Sequence, residues 1–302
     1  MHDISKTYNG IKDIVRNFSH NLLNNDGNVK RSGPKPKFSD LEVISLALTA
    51  EVLAIDSELM LFKKLLALPP KKQINNLIDR SRFNVRKRDQ CTVIESIRQR
   101  IVRPLIENED TFIVDSTPLE TCKFVRAPRT TICKENPDTA PAYGYCASMK
   151  RHYFGYKLHA VCSLDGVIST FDLSQANIND VKYLDDIQTQ YFNCTIIGDK
   201  GYISESIQQE LFSTNQVRLA TPMRENQLNY KPFPFMLTLL RKRIETLFSQ
   251  LCDQFMLRRN YAKTFRGLIT RLLAKITALS LLQYLNKFVL NRPIGQVKHA
   301  FI

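Results

Sequence analysis

The sequence predicts an α/β fold: a mixed sheet flanked by helices, preceded by a helical N-terminal region. Three observations predict it. Apolar residues recur at helical spacing up to about residue 108. After residue 110 the apolar runs shorten to strand length. Those runs then alternate with helical stretches, which places helices on the faces of a mixed sheet. With 302 residues, 43% of them hydrophobic, the chain can build one large or two modest domains. The pattern divides it into a helical region over 1–108, an α/β core over 109–258 and a basic C-terminal helix over 259–302 that packs on the core.

Taken in order, Ile11, Ile14, Val15 and Phe18 form the first helical stripe, continued by Leu22 and Leu23. Residues 30–37 are a basic linker rich in chain breakers. Ser39 and Glu42 have capping-box spacing ahead of Val43, Ile44, Leu46, Ala47 and Leu48. A helix over 59–68 stops at Pro69 and Pro70, and a short one is expected over 71–80. Residues 81–88 are a dense basic patch around Phe83, leading into a helix through Val93, Ile94, Ile97, Ile101 and Leu105. The strand runs are 112–114, 153–163, 167–173, 195–198 and 217–221. Residues 122–150 are polar, basic and irregular, and are expected to be an insertion or long loop. Helices are expected near 181–191, over 204–212, over 233–255 and over 264–290.

The formal charge is +14, which favours a polyanionic partner. From residue 254 to the end there are nine Lys or Arg and no Asp or Glu. Binding through that segment should be salt-sensitive, because each neutralised phosphate releases counterions. With the clusters at 30–37 and 80–88, this nominates Lys30, Arg31, Lys35, Lys37, Arg82, Arg86, Lys87, Arg88, Arg258 and Arg259 for DNA contact. The alternative for each is an ordinary solvated basic face. Seven cysteines with no CxxC spacing argue against a disulfide framework and point to reduced thiols. Cys122, Cys133, Cys146 and His152 are too loosely spaced for a zinc site. The first residues lack the signature of a signal peptide, and no charge-free run of about 18 apolar residues occurs, so no membrane span is expected.

Three acids occupy apolar settings: Asp115 after Thr111-Phe-Ile-Val, Asp199 after Thr195-Ile-Ile-Gly, and Glu245 on the edge of a helical stripe with Arg241 one turn earlier. A carboxylate at the end of a buried strand is costly unless a cation offsets it. Three such groups converging would suit hard divalent cations, which prefer oxygen ligands. Each also has an ordinary reading. Asp115 could be a turn residue, Asp199 a turn Asp before Lys-Gly, and Glu245 the partner of Arg241 or Lys242. All three, in this order of elements and in a basic chain, make the shared site the stronger reading.

Ile113-Val-Asp-Ser-Thr-Pro, Ile197-Gly-Asp-Lys-Gly-Tyr and Arg241-Lys-Arg-Ile-Glu-Thr-Leu-Phe resemble the three motifs of bacterial insertion-sequence transposases of the DDE class. Tyr153-Phe-Gly-Tyr-Lys-Leu-His and Ala176-Asn-Ile-Asn-Asp resemble that family's second- and third-strand motifs. The 81–88 patch and the chain length resemble the insertion-sequence 982 group in particular. The resemblance covers about residues 75–290. It implies an RNase H-like core and phosphoryl transfer with two divalent ions, Mg2+ or Mn2+. It places the catalytic, metal-ligating acids at Asp115, Asp199 and Glu245, with His159, Asn179, Asp180 and Arg241 shaping the site. A strand histidine such as His159 is otherwise a hydrogen-bonded structural residue. Where some relatives flank the Glu with Tyr and Lys, this chain has Thr238 and Cys252, so the phosphate contacts there are either absent or supplied by Arg241, Arg243, Arg258 and Arg259. The partners implied are terminal inverted repeats, target DNA and a second copy of the chain in a synaptic dimer. The setting implied is the bacterial cytoplasm, at the nucleoid. Two other readings use the same residues: a metal-dependent nuclease without strand transfer, and a non-catalytic DNA-binding domesticated copy.

Overall fold

The structure, a computed structural model, describes residues 3–226 and 230–299. The first two and last three residues of the expected terminal segments lie outside them. The chain forms two compact units: a helical one from the residues up to Leu105 and from Leu251 on, and a sheet-bearing one from Ile106 to Gln250.

The helical unit begins with α1 (Ile4–Phe18), α2 (Asp40–Val52), α3 (Glu58–Leu66), α4 (Arg80–Asp89) and α5 (Cys91–Val102). The capping box forms as expected: Glu42 N donates to Ser39 Oγ (3.3 Å), and Ser39 N donates to Glu42 Oε2 (2.7 Å). Residues on every side of α2 are buried, including Asp40 and Glu51 near its ends, so α2 is the unit's interior helix. Phe38, Val43, Leu46, Leu61, Phe62 and Phe83 belong to one apolar cluster around it. The helix expected over 71–80 does not form. One 3-10 turn covers Pro70–Lys72, and the basic patch itself is helical as α4. Asp79 caps α4 by accepting from Arg82 N (3.0 Å), which moves the helix start to residue 80.

The sheet has six strands: β1 (Thr111–Glu120), β2 (Ala142–Cys146), β3 (Arg151–Ser163), β4 (Ile168–Gln175), β5 (Thr195–Ile197) and β6 (Arg218–Ala220). The path is β2-β3-β1-β5-β6, with β4 on β3. β3 pairs antiparallel with β1, β2 and β4; β5 pairs parallel with β1 and β6. The sheet is therefore mixed, as expected. Two expectations are corrected. The 122–150 stretch contains β2 and two 3-10 turns. Its alternation over Ala142–Cys146 is masked in sequence because this strand presents exposed Tyr143 and Tyr145. β1 also continues five residues past Asp115, because β3 keeps pairing with it as far as Glu120. A 3-10 turn leads into α6 (Leu184–Gln190), and α7 (Glu205–Asn215) precedes β6. Phe112, Val114, Leu184, Ile187, Ile196 and Leu211 share the core of this unit.

α8 (Phe235–Asp253) spans the division between the units, and α9 (Phe265–Tyr284) continues into a π-turn over Leu285–Val289. The sequence sets 259–302 on the α/β core. The structure corrects this: α9 packs against α2, α4 and α5 in the helical unit. Over 265–289 it has the length and hydropathy of a membrane span, but 89% of the window is buried, which makes it a core helix. Its Lys275, 1% exposed, donates to Glu51 Oε2 and to the Phe255 carbonyl, each at 2.6 Å.

Candidate active site

The sheet register brings Asp115 and Asp199 together. The parallel β1–β5 ladder ends at Ile113 opposite Ile197, and each aspartate lies two residues beyond. Neighbouring strands run about 4.8 Å apart, so equal offsets past a shared rung bring the two residues near each other, close enough for Asp199 to raise the Asp115 carboxyl by repulsion. Asp115 still faces Ala160 on β3 but lies past the end of its pairing with β5. Asp115 Oδ1 accepts from Ser116 N (2.8 Å), and Asp199 Oδ1 accepts from Gly201 N (2.7 Å), closing a 3-10 turn.

A third carboxylate, Asp180, joins them from the turn before α6. Its Oδ1 accepts from Ser116 Oγ (3.0 Å) and from Lys157 Nζ (3.1 Å). Gly201 marks how closely the acids crowd. A Cβ there would lie 2.9 Å from Asp199 Oδ1 and 3.2 Å from Asp180 Oδ2. The Asp115 side chain keeps some contact with solvent, yet lies deep among protein atoms. Burial, with Asp199 and Asp180 adding repulsion, pushes its carboxyl up to about 7, against the pull of Ser116 N–H and Arg241. The Tyr202 phenol is raised by burial and then by all three aspartates.

His159 lies on the same face of β3 as Lys157. Its Nε2 is 2.7 Å from Ser174 Oγ, and its ring stacks on Tyr183 with centroids 4.7 Å apart. Burial lowers its pKa to about 4, against the pull of Asp180. The imidazole is therefore neutral at physiological pH, and the 4.0 Å approach of Nδ1 to Asp180 is not an ion pair. Its imidazole NMR shifts should stay flat from pH 5 to pH 8; a titration centred near 6.5 would refute this environment. Asn179 is exposed and makes no cap hydrogen bond.

Glu245 comes from α8. Its side chain is 56% exposed and pairs with Arg241 across one helical turn (3.5 Å). The connection to Asp115 runs through charge: Arg241 lowers the Asp115 carboxyl's pKa. Sequence reading overlooked Lys157, Ser116 and Tyr202. Lys157 was detectable, since period-two alternation puts it on the face of His159.

A family model described as transposase DDE domain matches residues 107–281. The chain belongs to the transposase DDE domain family. No curated protein and no solved structure matches it. Membership makes this chain a transposase of the nuclease-type enzymes, acting in DNA transposition and recombination, and implies that it binds DNA. Members of the family generally use divalent metal ions.

The residues present fit such ions in chemical kind. Asp115 and Asp199 are oxygen donors, and at Asp115 burial, with repulsion from Asp199, disfavours ionisation until a cation offsets it. They do not form a finished cage: among the described residues, no group of three His, Cys, Asp or Glu is arranged to hold a metal.

The basic residues nominated in sequence sort by burial. Lys87 is buried and salt-bridged to Glu58, and Arg86 bonds Asp40 (2.6 Å). These two side chains brace α4 against its neighbours, which corrects their assignment to DNA. Arg31 pairs with Asp40 (3.1 Å), Lys35 with Asp26 (2.7 Å), Arg82 with Asp79 (3.4 Å) and Arg259 with Asp56 (3.6 Å). Lys30, Lys37 and Arg258 are not buried. The acid-free tail thus finds its carboxylates in the N-terminal half of the helical unit.

Proposed function

We propose that this transposase is a bacterial insertion-sequence enzyme similar to the insertion-sequence 982 group, built on an RNase H-like core. The observation that carries the reading is the placement of Asp115 and Asp199 two residues past the last rung of the β1–β5 ladder, where Asp199 acts on the Asp115 carboxyl, inside the matched family domain. Asp115, Asp199 and Glu245 would hold two divalent ions, Mg2+ or Mn2+. When bound, such ions lower the pKa of an attacking hydroxyl and stabilise the leaving oxygen.

In cleavage, the oxygen of water bonds to phosphorus at the element's end. The bond to the 3′ oxygen breaks, and that oxygen leaves with a proton as a 3′-hydroxyl. In strand transfer, this hydroxyl attacks a target phosphodiester, its proton is lost, and the target's 3′ oxygen departs as a new 3′-hydroxyl. This chain's own groups set the electrostatics. Asp115 and Asp199 concentrate negative charge just past the end of the β1–β5 pairing, Lys157 compensates Asp180, and Arg241 holds Glu245. His159, neutral and hydrogen-bonded, shapes the wall beside Asp180 instead of moving a proton. Terminal inverted repeats and target DNA are the substrates, a homodimer the synaptic form, and the bacterial cytoplasm the setting.

Asp199→Asn should lower cleavage of a repeat-end duplex in Mg2+ by on the order of 10³-fold while end binding stays intact. Full activity in that variant removes Asp199 from the site. With pre-cleaved ends, joining to a target plasmid identifies a transposase competent for strand transfer. Cleavage without joining identifies a nuclease on the same scaffold, and metal-independent binding with neither reaction identifies a non-catalytic copy.

A further inference from the structure

The helical unit holds a cavity of about 310 Å³ between α4, the start of α3 and the start of α9. Its lining includes Arg80, Lys87, Arg88, Lys263 and Arg271, against one carboxylate, Glu58. Lys87 and Glu58 neutralise each other. The Glu58 carboxyl, which burial alone would raise, is held below its usual range by Lys87, Asn84 and Arg271. Four cations therefore remain around the cavity. Among the described residues, no ion pair engages Arg80, Arg88 or Lys263.

Arg271 gives the cavity a built wall. It is 8% exposed, its Nη2 donates to the Asp56 carbonyl (2.6 Å), and its guanidinium lies over the Tyr261 ring (5.8 Å). Its Nε is buried with no hydrogen-bond partner, and so is that of Arg88. A buried N–H without an acceptor is costly, by about 1–3 kcal/mol, and both of these arginines line the cavity. The same cavity receives the N-terminus of the 20-residue α9, capped by Thr264, whose Oγ1 accepts from Gly267 N (3.2 Å). The partial positive charge of a helix start favours an anion there. A Cβ at Gly267 would sit 3.0 Å from Thr264 Oγ1 and press on that cap.

We propose that this cavity is a phosphate-binding pocket, with Arg88 and Arg271 as its inner cations and Arg80 and Lys263 as its outer ones. It rests on the DNA-binding reading only for the source of the phosphate. A backbone phosphate of bound DNA is the occupant the basic surroundings favour, and free inorganic phosphate has the same chemistry.

The test uses the full chain and the variant Arg80→Gln/Lys263→Gln, whose side chains are exposed and spare the fold. Inorganic phosphate, compared with chloride at matched ionic strength, should raise Tm by about 3 °C at ten times its Kd. The variant should lose that rise. In fluorescence anisotropy with duplex DNA, the variant should bind about tenfold more weakly at ~0.1 M salt. The slope of log K against log salt should become shallower by about 0.9 for each phosphate that the variant leaves unneutralised. A lost Tm response with weakened DNA binding identifies a DNA phosphate. A lost Tm response with unchanged DNA binding keeps the pocket and identifies free phosphate as its ligand. An unshifted wild-type Tm together with unchanged DNA binding overturns the proposal. Neither readout needs cleavage, so failure of the catalytic reading and failure of the pocket are separable.

Discussion

Asp115→Asn should inactivate the transposase and, in chelator, make it more stable at pH 8. Both effects have one cause. Burial and the neighbouring aspartates raise the Asp115 carboxyl to about 7, so at pH 8 folding forces a charge into a place that disfavours it. A carboxyl whose folded pKa lies above its unfolded value favours the native state at low pH and loses that contribution as pH rises through the folded value. The window here runs from about pH 4 to about pH 7. Removing the charge should therefore change little below pH 4. Above pH 7 it should stabilise by roughly 2–4 kcal/mol, at 1.36 kcal/mol per pKa unit less a discount for partial solvent contact. Thermal melts of both proteins across pH 4–8 measure this. Equal Tm values at pH 8 would place Asp115 in an ordinary solvated setting. Cleavage should fall by on the order of 10³-fold, the usual exchange of stability for function at a site built against its own charges.

Lys275→Ala should unfold the helical unit most readily of any single change proposed here. Lys275 and Glu51 are 1% and 6% exposed and face each other at 2.6 Å. Deleting the ammonium leaves a buried carboxylate uncompensated and the Phe255 carbonyl without its donor. Breaking such a pair costs about 3–5 kcal/mol, or on the order of 10 °C in Tm for a unit of this size. Glu51→Leu combined with Lys275→Met should recover most of the loss, since apolar replacement of a buried pair is often neutral. A double-mutant cycle by urea denaturation measures the coupling. Additive losses would mean the two groups act independently.

The two aspartates could be nominated along the chain because the pattern that singles them out is local. Asp115 and Asp199 each follow a short apolar strand run, a pattern that predicts strand ends for both; Asp199 does follow β5, whereas β1 runs on past Asp115 to Glu120. The mixed sheet, the Ser39–Glu42 cap and the long helices were legible for the same reason: periodicity and capping act over a few residues. The 71–80 segment misled because its apolar spacing suits a helix, while Asp79 supplies a better start further along. β2 was hidden because both of its tyrosines face outward.

Asp180 shows a different limit. It was placed only in support, and the structure sets it beside Asp199 over Gly201, with Lys157 and Ser116 as partners. Those partners come from other strands, so no window of sequence joins them. Glu245 shows the converse. Its pairing with Arg241 follows from helical spacing alone.

The sequence by itself determined the mixed sheet with its flanking helices and the family the chain belongs to. The tertiary structure alone decided where the charge of the basic tail goes. Lys275, Arg266 and Arg259 meet Glu51, Asp89 and Asp56, acids from the far end of the chain. The physical reason is range. Strand alternation and helix caps act between near neighbours, whereas a charge is matched by whatever the fold brings beside it, and α9 is folded among the N-terminal helices.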